Sequence, residues 1–85
     1  MLSIELHPSA RKELSKVPAR DHNRILDQLS ALERCDHPLE HRRVIKLSGR
    51  KTEDYRMRVG DWRIKFTLRD RIAYVTEIDN RQAGY

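Results

Sequence analysis

Residues 55–68 read YRMRVGDWRIKFTL, and apolar and polar side chains alternate on either side of Gly60-Asp61. Successive side chains of a strand point to opposite faces, and a two-residue Gly-Asp connection is typical of a tight β-hairpin. The resulting register places apolar residues opposite apolar residues and cations opposite cations: Val59 opposite Trp62, Arg58 opposite Arg63, Met57 opposite Ile64, and Arg56 opposite Lys65. The hairpin therefore has one apolar face, which predicts the core of a sheet, and one cationic face.

The cationic face of this hairpin gathers four basic side chains: Arg56, Arg58, Arg63 and Lys65. Like charges directly opposite each other destabilise a sheet by about as much as a good cross-strand pair stabilises it, roughly 0.2–1 kcal/mol. A strand that needed only solubility would pair its arginines with carboxylates, and none interleaves with them here. A solvated face is the ordinary explanation for basic strand residues, but this arrangement favours an anionic partner, above all a phosphate backbone.

The overall composition also points to an anionic partner. The chain has 85 residues, enough for one domain, 1–85, with a small core. Lysine and arginine number 18 against 13 acidic residues, which gives a net charge of +5, and 13 of the 18 are arginine. Arginine binds phosphate in a planar, bidentate geometry that lysine cannot reproduce. Nucleic acid or an acidic protein is favoured over a membrane surface, since no cationic amphipathic helix stands out.

The sequence lacks the marks of a membrane, secreted or metal-dependent protein. No apolar run approaches about 18 residues and no signal-peptide core is present, which predicts a cytoplasmic location. Cys35 is the only cysteine and excludes an internal disulfide. The histidines have no metal-binding spacing, so neither a metal nor another cofactor is expected, and we predict surface positions for all four: His7, His22, His37 and His41. His41 is a partial exception, because it adjoins Arg42-Arg43.

The segments before the hairpin predict one strand and two helices. Residues 2–6 alternate as a strand that ends at His7-Pro8, and Ser9 is the expected N-cap of the first helix. That helix ends at Pro18, which fits the first turn of a second helix. The apolar stripes are Ala10, Leu14 and Val17 in the first helix, and Ile25, Leu26, Leu29 and Leu32 in the second.

Further strands are predicted on both sides of the hairpin, at residues 43–47 and 72–78. In the last strand the residues expected to face the core are Ile72, Tyr74, Thr76 and Ile78. The order β-α-α-β-β-β-β indicates an α+β fold: an N-terminal strand, a helical hairpin and a mostly antiparallel four-strand meander, with both helices on one face of the sheet. The opposite face is open and basic.

This basic face could act on RNA without a metal. The 2′-hydroxyl of RNA can attack the neighbouring phosphorus, so an enzyme has to hold an in-line geometry and stabilise the charge that grows on the phosphate. Guanidinium groups suit that task, whereas proton transfer needs a separate base, for which Tyr85 or Lys65 would have to be perturbed. Glu77 falls on the same face and is expected beside Arg63, where it orients the arginine or, as we favour, relieves repulsion.

Three segments together resemble the RelE/ParE toxin superfamily. They are KLSG at 46–49, YRMRVGDWRIKF at 55–66, and the pattern N-R-x-x-x-Y at 80–85. The strand and helical hairpin that precede them, residues 2–32, also match the layout of that family, so the resemblance covers nearly the whole chain. It implies the RelE-like microbial ribonuclease fold with the element order given above.

The RelE branch consists of toxins of type II toxin–antitoxin systems, which are ribosome-dependent endoribonucleases (mRNA interferases) that cut translated mRNA by 2′-hydroxyl attack. The site residues that the resemblance implies are Arg56, Arg58 and Lys65 for RNA binding, and Arg63, Arg81 and Tyr85 for catalysis. Arg63 and Arg81 would stabilise the phosphate, and Tyr85 would help to activate the 2′-hydroxyl. The resemblance also implies neutralisation by an acidic, RelB-like antitoxin, through which alone the toxin would contact operator DNA.

Two other functions stay open at the level of sequence. The ParE branch shares the fold but poisons DNA gyrase and generally lacks the basic and tyrosine set, and a non-catalytic module that binds nucleic acid or the ribosome would carry the same charge. The sequence also departs from the RelE pattern. Arg56 and Arg58 replace lysines of the best-known members, one of which has been considered as a base, and Asp79-Asn80 replaces the usual Gly-His before Arg81.

Overall fold

A computed structural model describes residues 1–49 and 51–80 of the chain. Across these residues the secondary structure consists of strands, two helices and one 3₁₀ turn, in the order β1 (Ser3–Leu6), α1 (Pro8–Ser15), α2 (Ala19–Glu33), the 3₁₀ turn (Pro38–Glu40), β2 (Val44–Lys46), β3 (Asp54–Val59), β4 (Trp62–Arg69) and β5 (Ile72–Asn80). The order of helices and strands predicted from the sequence is therefore confirmed.

The strands form a single sheet with the spatial order β1-β5-β4-β3-β2. Strands β2 to β5 pair as an antiparallel meander, and β1 returns to lie parallel to β5. The α+β class and the mostly antiparallel sheet are confirmed. No helix in the described part of the chain combines the length and the apolarity needed to cross a membrane.

The β3–β4 hairpin has the predicted register at every pair, from Val59 opposite Trp62 to Arg56 opposite Lys65. Gly60, the first residue of the two-residue loop, has φ = 60°, a left-handed conformation that glycine adopts without steric cost. The loop chemistry and the period-two pattern agree, and together they fix which side chains face the core.

The core lies between the apolar side of the sheet and the two helices. The hairpin contributes Tyr55, Met57, Val59, Ile64 and Phe66, all buried, and α2 covers them with Ile25, Leu29 and Leu32. From α1, Ala10 and Leu14 complete the layer. Because the helices cover this side only, the opposite side of the sheet keeps its polar and charged side chains exposed to solvent or partly so.

Strand β5 does not follow the predicted alternation. The residues buried in its first half are Ala73 and Val75, whereas Thr76 is exposed. The β4–β5 ladder shifts between Lys65 and Phe66, which pair with Glu77 and Val75, so Thr76 is an extra residue of the kind found in a β-bulge. Beyond the bulge Ile78 is buried, as predicted. The expected core positions of Ile72, Tyr74 and Thr76 are wrong because the bulge interrupts the regular period of two.

The cap of α1 also differs from the prediction. His7 rather than Ser9 is the N-cap, and its Nδ1 accepts the backbone N–H of Ser9 at 3.1 Å. His37 does the same for the 3₁₀ turn, where it accepts the N–H of Leu39 at 3.1 Å. A histidine whose Nδ1 accepts a hydrogen bond carries its proton on Nε2 when neutral. Both histidines lie at the surface, as predicted, but they have a structural role there.

Candidate functional site

The side of the sheet that the helices leave uncovered, called the outer face below, is a grid of polar side chains from β3, β4 and β5. Its three rows, set by the strand registers, are Asp54–Thr67–Tyr74, Arg56–Lys65–Glu77 and Arg58–Arg63–Asp79. The four cations predicted from the hairpin are thus brought together. The register that opposes like charges, Arg58 to Arg63 and Arg56 to Lys65, is also confirmed.

Two of these cations have carboxylate partners on β5. Arg63 donates from Nε and Nη2 to the two carboxylate oxygens of Asp79, at 3.2 and 3.4 Å. Lys65 Nζ lies 3.2 Å from the carboxylate of Glu77. The expected position of Glu77 beside Arg63 is therefore wrong by one row, since the bulge sets Glu77 opposite Lys65 and Asp79 opposite Arg63. Glu77 still offsets like-charge repulsion, as we favoured.

The geometry of the Arg63–Asp79 pair leaves part of the guanidinium free. A guanidinium carries five N–H donors, and the Nε edge of Arg63 uses two of them on Asp79. The remaining donors lie on the opposite edge of the group. Both side chains are about one-third exposed, so the pair is partly open to solvent. Asp79 therefore orients Arg63 without occupying its whole binding surface.

Arg56 and Arg58 are in a different electrostatic state. Among the described residues, no carboxylate lies within ion-pair distance of either side chain. Arg58 Nε donates to the carbonyl oxygen of Gly60 at 3.3 Å, which turns its guanidinium toward the hairpin loop. Together with Asp61 and Arg63 they line a depression of about 210 Å³. This depression offers three guanidinium groups to an anion.

Sequence reasoning missed two further arginines that lie beside this depression. Arg42 and Arg43 precede β2, and with Ile45, Arg56 and Arg58 they line a second depression of about 320 Å³, called the edge groove below. The dipeptide was visible in the sequence, but its position depends on the pairing of β2 with β3. The backbone N–H of Arg58 donates to the carbonyl oxygen of Arg43 at 3.1 Å, which sets the two residues side by side.

His41 links this end of the sheet to α2 through two hydrogen bonds. Its Nδ1 accepts the backbone N–H of Arg43 at 3.1 Å, and its Nε2 lies 3.0 Å from Oε1 of Gln28 on α2. The side chain is only 7% exposed, so the predicted surface position is wrong. Burial first, and then the guanidinium groups of Arg43 and Arg42, lower the pKa of His41 below its ordinary value. The residue is a neutral structural support.

Two of the predicted catalytic residues, Arg81 and Tyr85, lie outside the described residues. The outer face nevertheless limits where a base could come from. Tyr55 is buried and donates to Glu53 at 3.1 Å, and burial followed by that hydrogen bond raises its pKa. Lys65 is engaged by Glu77. Tyr55 and Lys65 are therefore both engaged within the fold, and neither is free to remove a proton from a ligand on this face.

The described residues also offer no ready metal site. Within residues 1–49 and 51–80, no cluster of three or more histidine, cysteine, aspartate or glutamate side chains could hold a metal ion. The chemistry of the face is that of guanidinium groups, one lysine and their carboxylate partners.

No protein-family model matches this sequence, and comparison with curated protein sequences finds no significant relative. Solved structures do match it over almost its whole length. A chain of the archaeal RelE–RelB complex from Pyrococcus horikoshii OT3 has 28% identity and a TM-score of 0.78, with 94% of each chain covered. The isolated E. coli RelE toxin has 14% identity and a TM-score of 0.78, with 94% of this chain and 84% of that chain covered.

The toxin–antitoxin complex RelBE2 from Mycobacterium tuberculosis is similar to the same degree. Its matching chain has 23% identity and a TM-score of 0.75, with 94% of this chain and 91% of that chain covered. These matches define the class of the fold as RelE-like. The structural match to RelE toxins over about 94% of this chain confirms the resemblance to the RelE/ParE toxin superfamily that the sequence predicted.

Proposed function

We propose that this RelE-like toxin cuts translated mRNA on the ribosome, as a metal-independent endoribonuclease of a type II toxin–antitoxin system. The observation that carries the proposal is the depression lined by Arg56, Arg58 and Arg63 on the outer face. Three guanidinium groups around one small depression suit an anion with several oxygens, and Arg63 is already oriented by Asp79. The sequence relationship to a chain of the Pyrococcus RelE–RelB complex supports the same conclusion.

In this proposal the arginines act on the phosphate rather than on a proton. Attack of the 2′-hydroxyl on phosphorus adds negative charge to the phosphate oxygens, and donors that are already in place stabilise that charge at little reorganisation cost. Arg56, Arg58 and Lys65 hold the RNA backbone, and the free edge of Arg63 meets the oxygen on which charge develops. Arg81 assists Arg63, and Tyr85 takes part in activating the 2′-hydroxyl; these two roles rest on the sequence resemblance.

The ribosome has a physical role in this scheme. The depression on the outer face binds an anion mainly through three guanidinium groups, which do not themselves position the 2′-hydroxyl. Binding of the phosphate alone does not fix the angle between the 2′-oxygen, phosphorus and leaving oxygen. An mRNA held in the decoding site would arrive with that geometry restricted, which lowers the entropic part of the barrier. Naked RNA should therefore be a poor substrate.

The same charges predict how the toxin is silenced. The complexes from Pyrococcus, Methanococcus, E. coli and Mycobacterium contain RelE-like chains with antitoxins. For this chain we propose an acidic, RelB-like antitoxin that covers the outer face in the cytoplasm and through which alone the toxin meets operator DNA. Neutralising the uncovered arginines should slow association with the antitoxin and reduce its dependence on salt.

Cleavage mapping on purified components tests the proposal. We expect the protein to cut mRNA within programmed ribosomes, to leave a 2′,3′-cyclic phosphate, and to do so with a chelator that removes transition metals and leaves the ribosomes intact. Arg63→Gln should cut poorly, whereas the control Arg11→Gln, on the exposed surface of α1, should cut like wild type. Efficient cutting of naked RNA only after a metal is added would refute the mechanism. Gyrase-dependent DNA damage without RNA cleavage would assign the chain a ParE-like activity instead.

A further inference from the structure

We propose that Arg42 and Arg43 form a second phosphate-binding subsite, which extends the path of an RNA strand from the outer face to the β2 edge of the sheet. The inference rests on the proposed function, because it takes RNA to be the ligand of the neighbouring depression. It adds a site that the sequence did not suggest and that lies outside the hairpin.

The edge groove lies directly beside the depression on the outer face. Arg56 and Arg58 line both the edge groove and the depression that contains Arg63, so the two depressions adjoin at these two side chains. Arg43 stands next to Arg58, which stands opposite Arg63. Neighbouring strands are about 4.8 Å apart, so this row extends across two strand spacings, about 10 Å. It is long enough for more than one phosphate group.

The edge groove has an unbalanced positive charge. The lining of the edge groove comprises four arginines and Ile45, with no carboxylate from the described part of the chain. On the β5 side of the same sheet, by contrast, Asp79 and Glu77 neutralise the cations beside them. Guanidinium groups that are crowded without counter-charges repel one another, and an anion relieves that repulsion when it binds. Phosphate is the anion that a planar guanidinium fits best.

Hydrogen bonds fix the backbone of the edge groove at Arg43. The N–H of Arg43 donates to the buried ring of His41, and its carbonyl oxygen accepts from Arg58 on β3. His41 is in turn held by Gln28 of α2. The arginines thus start from a backbone anchored to the sheet and to a helix, and a preorganised cation loses less entropy on binding than one on a free tail.

Ile45 is consistent with a nucleotide in this groove. Its side chain is 49% exposed between the arginines, on an edge strand of three residues. A base attached to a phosphate in the groove would cover this apolar surface. An acidic peptide with an apolar side chain is the competing occupant. RNA is favoured because the groove adjoins the proposed catalytic depression and shares Arg56 and Arg58 with it.

Binding of single-stranded RNA of two lengths tests the subsite. The probes are fluorescent oligonucleotides of about 4 and about 12 nucleotides, within the range of site sizes of single-strand binders, with 2′-O-methyl groups that prevent cleavage. The double variant Arg42→Gln/Arg43→Gln is compared with Arg11→Gln/Arg20→Gln, which removes the same charge from exposed helix positions. Thermal melting of each variant shows that it is folded.

The expected result is specific for length. On the longer RNA the groove variant should lose affinity, and the slope of log K against log salt should fall by about 1.4, which is two phosphates at roughly 0.7 each. The groove variant should bind the shorter RNA as tightly as wild type does. The control double variant Arg11→Gln/Arg20→Gln should bind both RNAs as tightly as wild type does. Equal losses on both lengths, or none on the longer, would overturn the subsite. Loss of affinity for a poly-glutamate peptide with unchanged RNA binding would also overturn it, in favour of a protein partner.

The same experiment tests the proposed function separately, through the binding of wild-type protein and of Arg63→Gln. If wild-type protein binds neither RNA, or if Arg63→Gln binds both as well as wild type does, then the outer face is not an RNA site and the proposed function fails. If Arg63→Gln weakens binding but the groove variant does not, then only the second subsite is wrong.

Discussion

The β5 side and the β2 side of the outer face carry the same kind of cation in opposite electrostatic states. On the β5 side, Arg63 and Lys65 are paired with Asp79 and Glu77. On the β2 side, the arginines of the edge groove have no carboxylate partner among the described residues. The difference shows that charge alone does not define the site, because one side is arranged to hold a cation in position and the other to leave its cations available.

The paired cations and the opposed cations each change the free energy of folding only slightly. A partly exposed ion pair contributes roughly 0.2–1 kcal/mol, and a directly opposed like-charge pair costs about as much. The Arg63–Asp79 pair can therefore offset the Arg58–Arg63 repulsion. The face costs the fold little overall, and its cations can differ in function without a large penalty in stability.

The largest effect is expected for Arg63→Gln. Cleavage on the ribosome should fall by at least about tenfold, or 1.4 kcal/mol of transition-state stabilisation, because the oriented donor is lost. From the sequence alone, an unchanged or raised melting temperature is expected for this variant. The structure reverses the sign to a slight decrease, because Asp79 loses its partner while Arg58 is already turned toward Gly60.

Single-turnover cleavage and thermal melting measure the two parts of this prediction. A double-mutant cycle with Asp79→Asn should return a coupling of roughly 0.2–1 kcal/mol in stability. Wild-type cleavage by Arg63→Gln would show that the paired side has no catalytic role. A raised melting temperature would show that repulsion outweighs the ion pair.

Arg58→Gln should have a smaller effect on activity and the opposite effect on stability. Cleavage should fall several-fold, because one of several phosphate ligands is lost. The melting temperature should stay the same or rise slightly, most clearly at low ionic strength, where repulsion from Arg63 is least screened. Melting curves at low and high salt check the sign. A clear decrease in melting temperature at both salt concentrations would mean that the unpaired side stabilises the fold, and the contrast between the two sides would disappear.

Acidification should weaken the contact between His41 and the backbone of Arg43, on the β2 side of the sheet. The pKa of His41 is lower in the folded chain than in the unfolded chain, so the stability that its neutral form contributes is complete above the ordinary histidine pKa of about 6.5 and is lost as the pH falls below it. Protonation also removes the acceptor for the N–H of Arg43. The drop in melting temperature between about pH 7.5 and about pH 5.5 should be smaller in His41→Gln than in wild type.

His22→Gln is the matched control for this pH effect, since it removes a histidine that lines neither the edge groove nor the hollow that contains His41. An identical pH dependence for wild type and His41→Gln would exclude His41 as the titrating support. Arg42, Arg43 and Glu40 line the hollow that contains His41, so the comparison should be repeated at high salt to separate their charges from the hydrogen bond.

The smallest effect is expected for Glu77→Gln. Its pair with Lys65 is more exposed than the Arg63–Asp79 pair, so stability should change by only a few tenths of a kcal/mol. Affinity for RNA should rise slightly, because Lys65 gains freedom to contact phosphate and the face loses one negative charge. Anisotropy titrations at two salt concentrations measure the change. A loss of RNA affinity would indicate that Glu77 positions Lys65, as Asp79 positions Arg63.

The sequence predicts the structure of the β3–β4 hairpin better than that of β5. The register of β3 and β4 was predictable because the loop length and the apolar alternation both specify it. Strand β5 was not, because Ile72 and Tyr74 look like core residues and nothing in the hydropathy marks Thr76 as an extra residue. The bulge determines which carboxylates pair with Arg63 and Lys65. The charge balance of the outer face could therefore not be predicted from the sequence.

The edge groove was hidden for a related reason. Arg42 and Arg43 precede a strand of three residues, and only the pairing of that strand with β3 sets them beside Arg58. The burial of His41 depends equally on contacts between distant segments, with Gln28 on one side and Arg43 on the other. The roles of Arg81 and Tyr85 stay predictions of the sequence resemblance.

The parallel pairing of β1 with β5 has a consequence for the timing of folding. Ser3 lies beside Ile72, so the first strand made has to wait for the last one before it finds a partner. Contacts so distant in sequence close a long loop and form late. During synthesis at about 5–20 residues per second, β1 stays unpaired until β5 emerges. The sheet that carries the arginines is therefore completed only after residues 72–80 have been made, so the full outer face cannot bind a partner before that stage of synthesis.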